Sequence, residues 1–170
     1  MDFKEKIRVI EDFPQPGVRF KDITTLLKDG KAFQAAIDEM ARQVAGKEID
    51  VVVGPEARGF VVGTPLAYAL GVGFVPVRKS GKLPGETVEA GYSLEYGKDK
   101  LAVHKDAIDP GQKVLIVDDL LATGGTINAT LDLVRQLKGE VVGAAFFIEL
   151  TYLHGRDKLK DVDLFTLIQY

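Results

Sequence analysis

Cysteine and tryptophan are absent from this chain of 170 residues, and there are only two histidines. Without cysteine there is no disulfide framework, no thiolate metal site and no thiol nucleophile. His104 and His154 stand apart from any ligand-like spacing, so they read as surface or part-buried residues rather than metal ligands. No basic tract occurs either: 22 Lys and Arg face 25 Asp and Glu, interspersed, for a net charge of −3. That balance argues against a long nucleic-acid groove and requires any small anionic ligand to be held locally. No apolar run approaches membrane-spanning length, and the N-terminal MDFKEKIRVIEDF is charged throughout, without the apolar core of a signal peptide. The expectation is a cytoplasmic protein with neither membrane nor nucleic acid as partner. No internal repeat is evident, and 46% hydrophobic residues in this length suit a single domain, residues 1–170, with a real core.

What the chain does have is Val114 to Thr126, VLIVDDLLATGGT. Val114–Val117 is a short apolar, mostly β-branched run, the pattern of a strand buried on both faces of a parallel sheet, and it ends at two carboxylates. Small residues follow, Ala122-Thr123-Gly124-Gly125-Thr126, whose backbone N–H groups can approach an anion closely. Next comes a helix with Ile127, Leu131, Val134 and Lys138 on one face and Gly139 as its C′ stop. A loop feeding a helix N-terminus is a phosphate site, because unpaired N–H groups and the positive end of the helix dipole converge there. It matches neither the nucleotide P-loop, which has Lys after its last Gly, nor the GxGxxG dinucleotide spacing. Asp118 and Asp119 could receive two neighbouring hydroxyls of a ribose while the loop holds that sugar's phosphate.

In this order of strand, acid pair, loop and helix the chain resembles the type I phosphoribosyltransferases, which bind 5-phosphoribosyl-1-pyrophosphate (PRPP) in this way. The resemblance implies ribose and 5′-phosphate contacts from Asp118, Asp119, Ala122, Thr123, Gly124, Gly125 and Thr126.

Three upstream stretches extend it. Asp2–Ile10 reads as a short helix, broken by the prolines and glycine of Asp12 to Gly17. From the residues alone Phe20 reads as core packing ahead of ligand contact, since aromatics are usually buried for area. FPQPGVRFKDIT, however, resembles the base-binding hood of adenine phosphoribosyltransferases, which implies Phe20 stacking on the purine and backbone groups at Arg19 and Lys21 reading its edge. Many members have Arg where this chain has Lys21, so the resemblance carries a backbone role there and no side-chain role. Residues 1–30 would form this hood. Phe33, Ile37, Met40 and Val44 then repeat at helical spacing as a packing face.

Ile49–Val53 is the next buried strand, followed by Gly54-Pro55-Glu56-Ala57-Arg58-Gly59 and a helical run through Leu70. This puts Glu56 and Arg58 at the carboxyl edge of the strands, where open α/β sheets bind ligands, although a surface pair capping the helix fits equally well. PEARGF resembles the pyrophosphate loop of the same family, which more often reads ESRGF; Ala57 lacks that hydroxyl. Gly73–Val77, another strand, delivers Arg78, Lys79 and Lys82 among glycines, a solvated face by charge alone. Two antiparallel strands turning near Gly97-Lys98 complete Glu86–Lys105. RKxGKLPG with YSLEYG is similar to the family's flexible catalytic loop, implying that residues 78–105 bring cations to pyrophosphate and an acid from Glu95. Strands at Val141–Ile148 and Val162–Ile168 close the chain.

The fold class is thus α/β: a mostly parallel twisted sheet flanked by helices, with an N-terminal hood and a flexible antiparallel lid. The resemblance implies transfer of phosphoribose from PRPP to adenine, giving AMP and pyrophosphate, with Mg²⁺ bound mostly through substrate oxygens and Asp118 and Asp119 supporting. Glu56, Ala57, Arg58, Arg78, Lys79 and Lys82 would meet pyrophosphate, and Arg19, Phe20, Lys21 and Leu120 adenine. Glu95, Arg58 and Lys82 would be catalytic. Hypoxanthine/guanine-type members carry an acid at the start of the phosphate loop; this chain has Ala122, which leaves Glu95 as the acid/base. Family members are typically homodimers. A PRPP-sensing regulator on the same fold would need a DNA-binding domain or basic surface, which the composition does not supply. The same chemistry on xanthine is opposed by the FPQPGVRFKDI block.

Overall fold

The computed structural model describes residues 1–94 and 97–170; Glu95 and Tyr96, and with them the expected acid/base, lie outside the described residues. The chain opens with a 3-10 turn at Lys4–Lys6 and strand β1 (Arg8–Ile10), which pairs antiparallel with β2 (Phe20–Asp22). This corrects the helix expected over Asp2–Ile10. The reason is long-range: Asp22, nearly buried, accepts hydrogen bonds from Arg8 Nε at 2.9 Å, Arg8 Nη2, the Thr24 amide at 2.9 Å and the Thr24 hydroxyl at 2.7 Å. Burial opposes the charge on Asp22, but these donors hold its carboxyl below the ordinary range.

A short helix α1 (Thr24–Leu27) leads to α2 (Gly30–Gln43), started by Asp29, whose side chain accepts the Ala32 amide at 3.1 Å. Ile37, Met40 and Val44 are buried as their spacing requires. Then come β3 (Val51–Pro55), α3 (Arg58–Leu70), β4 (Gly73–Lys79), the hairpin β5 (Thr87–Leu94) and β6 (Gly97–His104), β7 (Lys113–Leu121), α4 (Gly125–Gln136), β8 (Glu140–Glu149) and β9 (Leu164–Gln169). The seven-stranded sheet runs β5-β6-β4-β3-β7-β8-β9, in which β4, β3, β7, β8 and β9 are mutually parallel. The expected mixed sheet with its antiparallel hairpin is therefore present.

Alternate residues of β7 feed two cores, Leu115 and Val117 into the one under α2 and α3, Val114 and Ile116 into the one under α4. The second core also takes Ala90, Leu101 and Val103, so the hairpin is docked along its inner face. Arg78 and Lys79 belong to β4 and pair with Ala102 and Leu101. Gly97 and Lys98, where the turn was expected, are instead the first strand residues of β6, opposite Leu94 and Ser93.

The α4 stop is also corrected. Lys138, not Gly139, takes the left-handed backbone (φ 63°), with the Lys138 amide donating to Arg135 O and that of Gly139 to Val134 O, a Schellman closure. Gly139 is needed for space instead, since a Cβ there would lie 2.8 Å from Val134 Cγ1. Among the described residues no helix is long and apolar enough to cross a membrane.

Candidate active site

β7 does not stop at Val117 as expected: its pairing with β8 runs on through Leu121, so both acids are held in the sheet. Neighbours on a strand normally point to opposite faces, yet here both carboxyls converge on the first turn of α3. Gly59 in that turn lies so close that a Cβ would sit 3.1 Å from Asp118 Oδ1, and the Asp119 amide donates to the same oxygen at 2.8 Å. Arg58 Nε donates to Asp119 Oδ2 at 2.6 Å. Burial, then the charge of Asp119, raise the Asp118 carboxyl well above its ordinary value.

Beyond Leu121 the chain turns through Gly124 (φ 86°), a backbone only glycine adopts freely, into α4. Among the described residues no acceptor takes the amides of Thr123, Gly124, Gly125, Thr126 or Ile127, whereas the next amide, Asn128, bonds Gly124 O. These orphan donors line a cup of about 70 Å³ together with Asp118 and Leu120. An anion is the natural guest.

A cleft of about 440 Å³ adjoins the cup and shares Asp118, Leu120 and Thr126 with it; its other walls are Glu56, Ala57, Arg58, Lys79 and Asp119. Arg78 and Lys82 stand outside this lining. Glu56, reached just before a cis peptide to Ala57, accepts the Lys79 amide at 2.8 Å and Arg78 Nε at 3.2 Å, so its carboxylate holds the cations in place. Arg78 Nη1 in turn reaches Lys82 O at 3.4 Å.

The third compartment, about 710 Å³, is lined by Arg19, Phe20, Lys21 and Leu120 as expected, and also by Lys4, Gly17, Val18, Leu150, Tyr152, Leu153 and Tyr170. Phe20 is half-buried rather than core. Phe13 meets its ring edge-on at 5.2 Å and the Arg58 guanidinium lies 5.6 Å from its centroid. Arg58 thereby links Asp119 to the aromatic wall. Lys4 and Lys21 each place an ammonium 4.5 Å from the Tyr170 ring, fixing the hood to the last strand. Burial, with help from Arg19, lowers the Lys21 ammonium below its ordinary value. Tyr152 and Leu153 were missed by sequence reasoning; two large side chains just after an apolar strand were the one available signal.

The described residues contain no group of three or more His, Asp or Glu arranged to hold a metal ion. The arrangement is a continuous trough: an amide cup, a paired-acid cleft and an aromatic-walled pocket, with Leu120 common to all three. It suits a phosphorylated sugar bearing a second anionic group and a flat partner.

Residues 24–169 match the phosphoribosyl transferase domain family. Over the full length of both, the chain is 66% identical to an adenine phosphoribosyltransferase of Brevibacillus brevis. The crystal structure of adenine phosphoribosyltransferase from Thermoanaerobacter pseudethanolicus superposes with a TM-score of 0.97 at 56% identity, covering 99% of this chain and 98% of that one. The Saccharomyces cerevisiae adenine phosphoribosyltransferase, complexed with D-2,5-dideoxy-2,5-imino-altritol 1,6-bisphosphate and adenine, gives 0.92 at 43% identity, covering 98% and 96%.

Proposed function

The chain belongs to the adenine phosphoribosyltransferases, within the phosphoribosyl transferase domain family, and on that premise we propose how its trough transfers phosphoribose from PRPP to adenine, giving AMP and pyrophosphate. The 5′-phosphate occupies the Thr123–Ile127 cup. Asp118 and Asp119 take the ribose hydroxyls, Arg58 and Lys79 meet pyrophosphate, with Arg78 and Lys82 closing from the β4 side, and adenine lies between Phe20 and Leu120 with backbone groups at Arg19 and Lys21 along its edge. The observation that carries this reading is the shared lining: Leu120 borders all three compartments, so one ligand can span cup and cleft while a second abuts it.

The C–O bond from the anomeric carbon to pyrophosphate breaks as the bond to a purine nitrogen forms, and the ring oxygen shares the positive charge that develops. Such a transition state needs position and fixed charge rather than a covalent nucleophile. The paired acids orient the sugar and lie near that charge. Arg58, now held by Asp119 beside Phe20, is placed to follow the departing pyrophosphate. Glu95 manages the purine proton; Glu95→Gln should cut turnover about 10²-fold or more with PRPP affinity kept, and unchanged turnover would remove it from that role.

Mg²⁺ fits this donor set, hard carboxylate oxygens beside a site for phosphates, with Asp118 and Asp119 supporting it from the ribose side; when bound it would neutralise and orient pyrophosphate. Purine salvage in the cytoplasm is the setting. A homodimer would cover the apolar face of α3, where Tyr68 is 89% and Val61 40% exposed beside a groove bordered by Phe33, Ile37 and Pro65; Tyr68→Asp should then sediment as a monomer.

The deciding experiment incubates the protein with PRPP, Mg²⁺ and each purine base in turn while nucleotide formation is followed. AMP from adenine alone is expected. Product from hypoxanthine, guanine or xanthine at comparable rate would overturn the base assignment, and dependence on no divalent ion would overturn the role of Mg²⁺.

A further inference from the structure

The link from β8 to β9 carries contacts that the reaction as described does not use. It runs through 3-10 turns at Thr151–Leu153 and Gly155–Lys158, joined at His154, whose backbone is left-handed (φ 54°). That bend lays the backbone of Gly155 directly on the phosphate loop. A Cβ on Gly155 would stand 2.3 Å from Ala122 O, and one on Gly124 would stand 2.7 Å from Gly155 O. Both obstacles are backbone, so neither can swing aside as a flexible side chain would.

The next residue locks the contact. Arg156 donates through Nε and Nη2, each at 2.6 Å, to the two oxygens of Glu149, a carboxylate only 2% exposed at the end of β8. Gln169 Nε2, from the end of β9, donates to Glu149 at 3.1 Å. On the near side the Leu150 amide donates to Leu121 O at 2.9 Å. A bidentate pair on a buried acid fixes direction as well as distance.

We propose that residues 150–156 form a strap that sets the position of the 5′-phosphate loop, with Gly155 as the bearing surface and Arg156, through Glu149, as a positioning residue that touches no substrate. An amide cup favours its anion only while its donors stay at hydrogen-bond distance, and a displacement of about 1 Å is enough to cost on the order of 10²-fold. The strap supplies that constraint from outside the loop. The inference rests on the reading of Thr123–Ile127 as the 5′-phosphate cup.

The test measures ribose 5-phosphate binding by calorimetry, and KM for PRPP and for adenine, in the wild type, Arg156→Ala, Arg156→Lys, Glu149→Gln and Gly155→Ala, with thermal unfolding followed alongside. Arg156→Ala and Gly155→Ala should weaken ribose 5-phosphate and raise KM for PRPP about tenfold or more, while KM for adenine rises by a smaller factor, since the strap borders that pocket through Leu150, Tyr152 and Leu153 but Phe20 and Leu120 lie on other elements. Arg156→Lys should recover part of the loss. Should Arg156→Ala or Gly155→Ala not fold, Arg156→Lys and Glu149→Gln carry the comparison. Wild-type binding with unchanged affinity in the folded variants overturns the strap alone, as does a loss of both substrates in proportion to lost folded protein. A wild type that fails to bind ribose 5-phosphate overturns the cup and the strap together.

Discussion

The two ends of the PRPP trough are built from different materials. The end proposed for the 5′-phosphate is backbone: five amides after β7 that find no acceptor among the described residues, a left-handed glycine, and a second glycine pressed against it from the β8–β9 link. The end proposed for pyrophosphate is side chain: Arg58 held by Asp119, Arg78 held by Glu56, and Lys79 and Lys82 open to solvent. One group stays on the sugar through the reaction and the other departs. Fixed amides need no reorganisation around the resident group, whereas long cationic side chains can follow a leaving group and release it.

That contrast can be broken by measurement. The largest effect is expected where both ends meet, at Asp119→Asn, which weakens the sugar's acceptor and frees Arg58: kcat/KM for PRPP should fall on the order of 10²–10³-fold in steady-state kinetics. Gly124→Ala comes next, since its methyl meets Gly155 O and its φ of 86° is strained; KM for PRPP should rise roughly 10²-fold with adenine nearly unaffected. Phe20→Ala lies off the phosphate axis and should raise only KM for adenine, by about 1–3 kcal/mol of lost stacking. Arg78→Ala and Lys82→Ala should raise KM for PRPP less than about tenfold, and the Kd of pyrophosphate should climb more steeply with salt than that of ribose 5-phosphate, because exposed charges are screened. Equal salt slopes would erase the distinction between the two ends.

The smallest effect is one of stability. The Asp118 carboxyl is raised when folded, so the folded state holds that proton more tightly than the unfolded chain does. Stability from this group is complete below the ordinary carboxylate range and is lost as pH rises through the window up to the raised value, leaving a fixed penalty above it. Asp118→Asn removes the penalty, so its Tm should exceed the wild type's at about pH 8, and the gap should close toward about pH 4, even as activity falls.

Much of this was legible beforehand. The run from Val114 to Thr126 announced strand, acids and cup because each depends on local chemistry, and the family resemblance it carried agrees with the relatives found. Phe20, read from its motif, shares one pocket with Arg19, Lys21 and Leu120. What sequence did not reveal was set by distant partners. Arg8–Ile10 is a strand because Phe20–Asp22 pairs with it, and nothing in a charged nine-residue window encodes that pairing. Asp118 and Asp119 stay in the ladder because β8 continues beside them to Glu149. Lys138 takes the left-handed turn of the helix stop, while Gly139 is set by space, since a Cβ there would crowd Val134. Gly155 is required by the carbonyl of Ala122, a residue far earlier in the chain, and no periodicity records such an encounter.

Leu120 is a wall common to three rooms, and this constrains any attempt to widen the enzyme's choice of base. Trimming that side chain to admit a bulkier heterocycle would also loosen the chambers for sugar and ester, trading scope for rate. Tyr152 and Leu153 border the base chamber but neither of the others, so remodelling there spares the shared wall, and a change that keeps Gly155 and Arg156 leaves the strap its bearing and its lock.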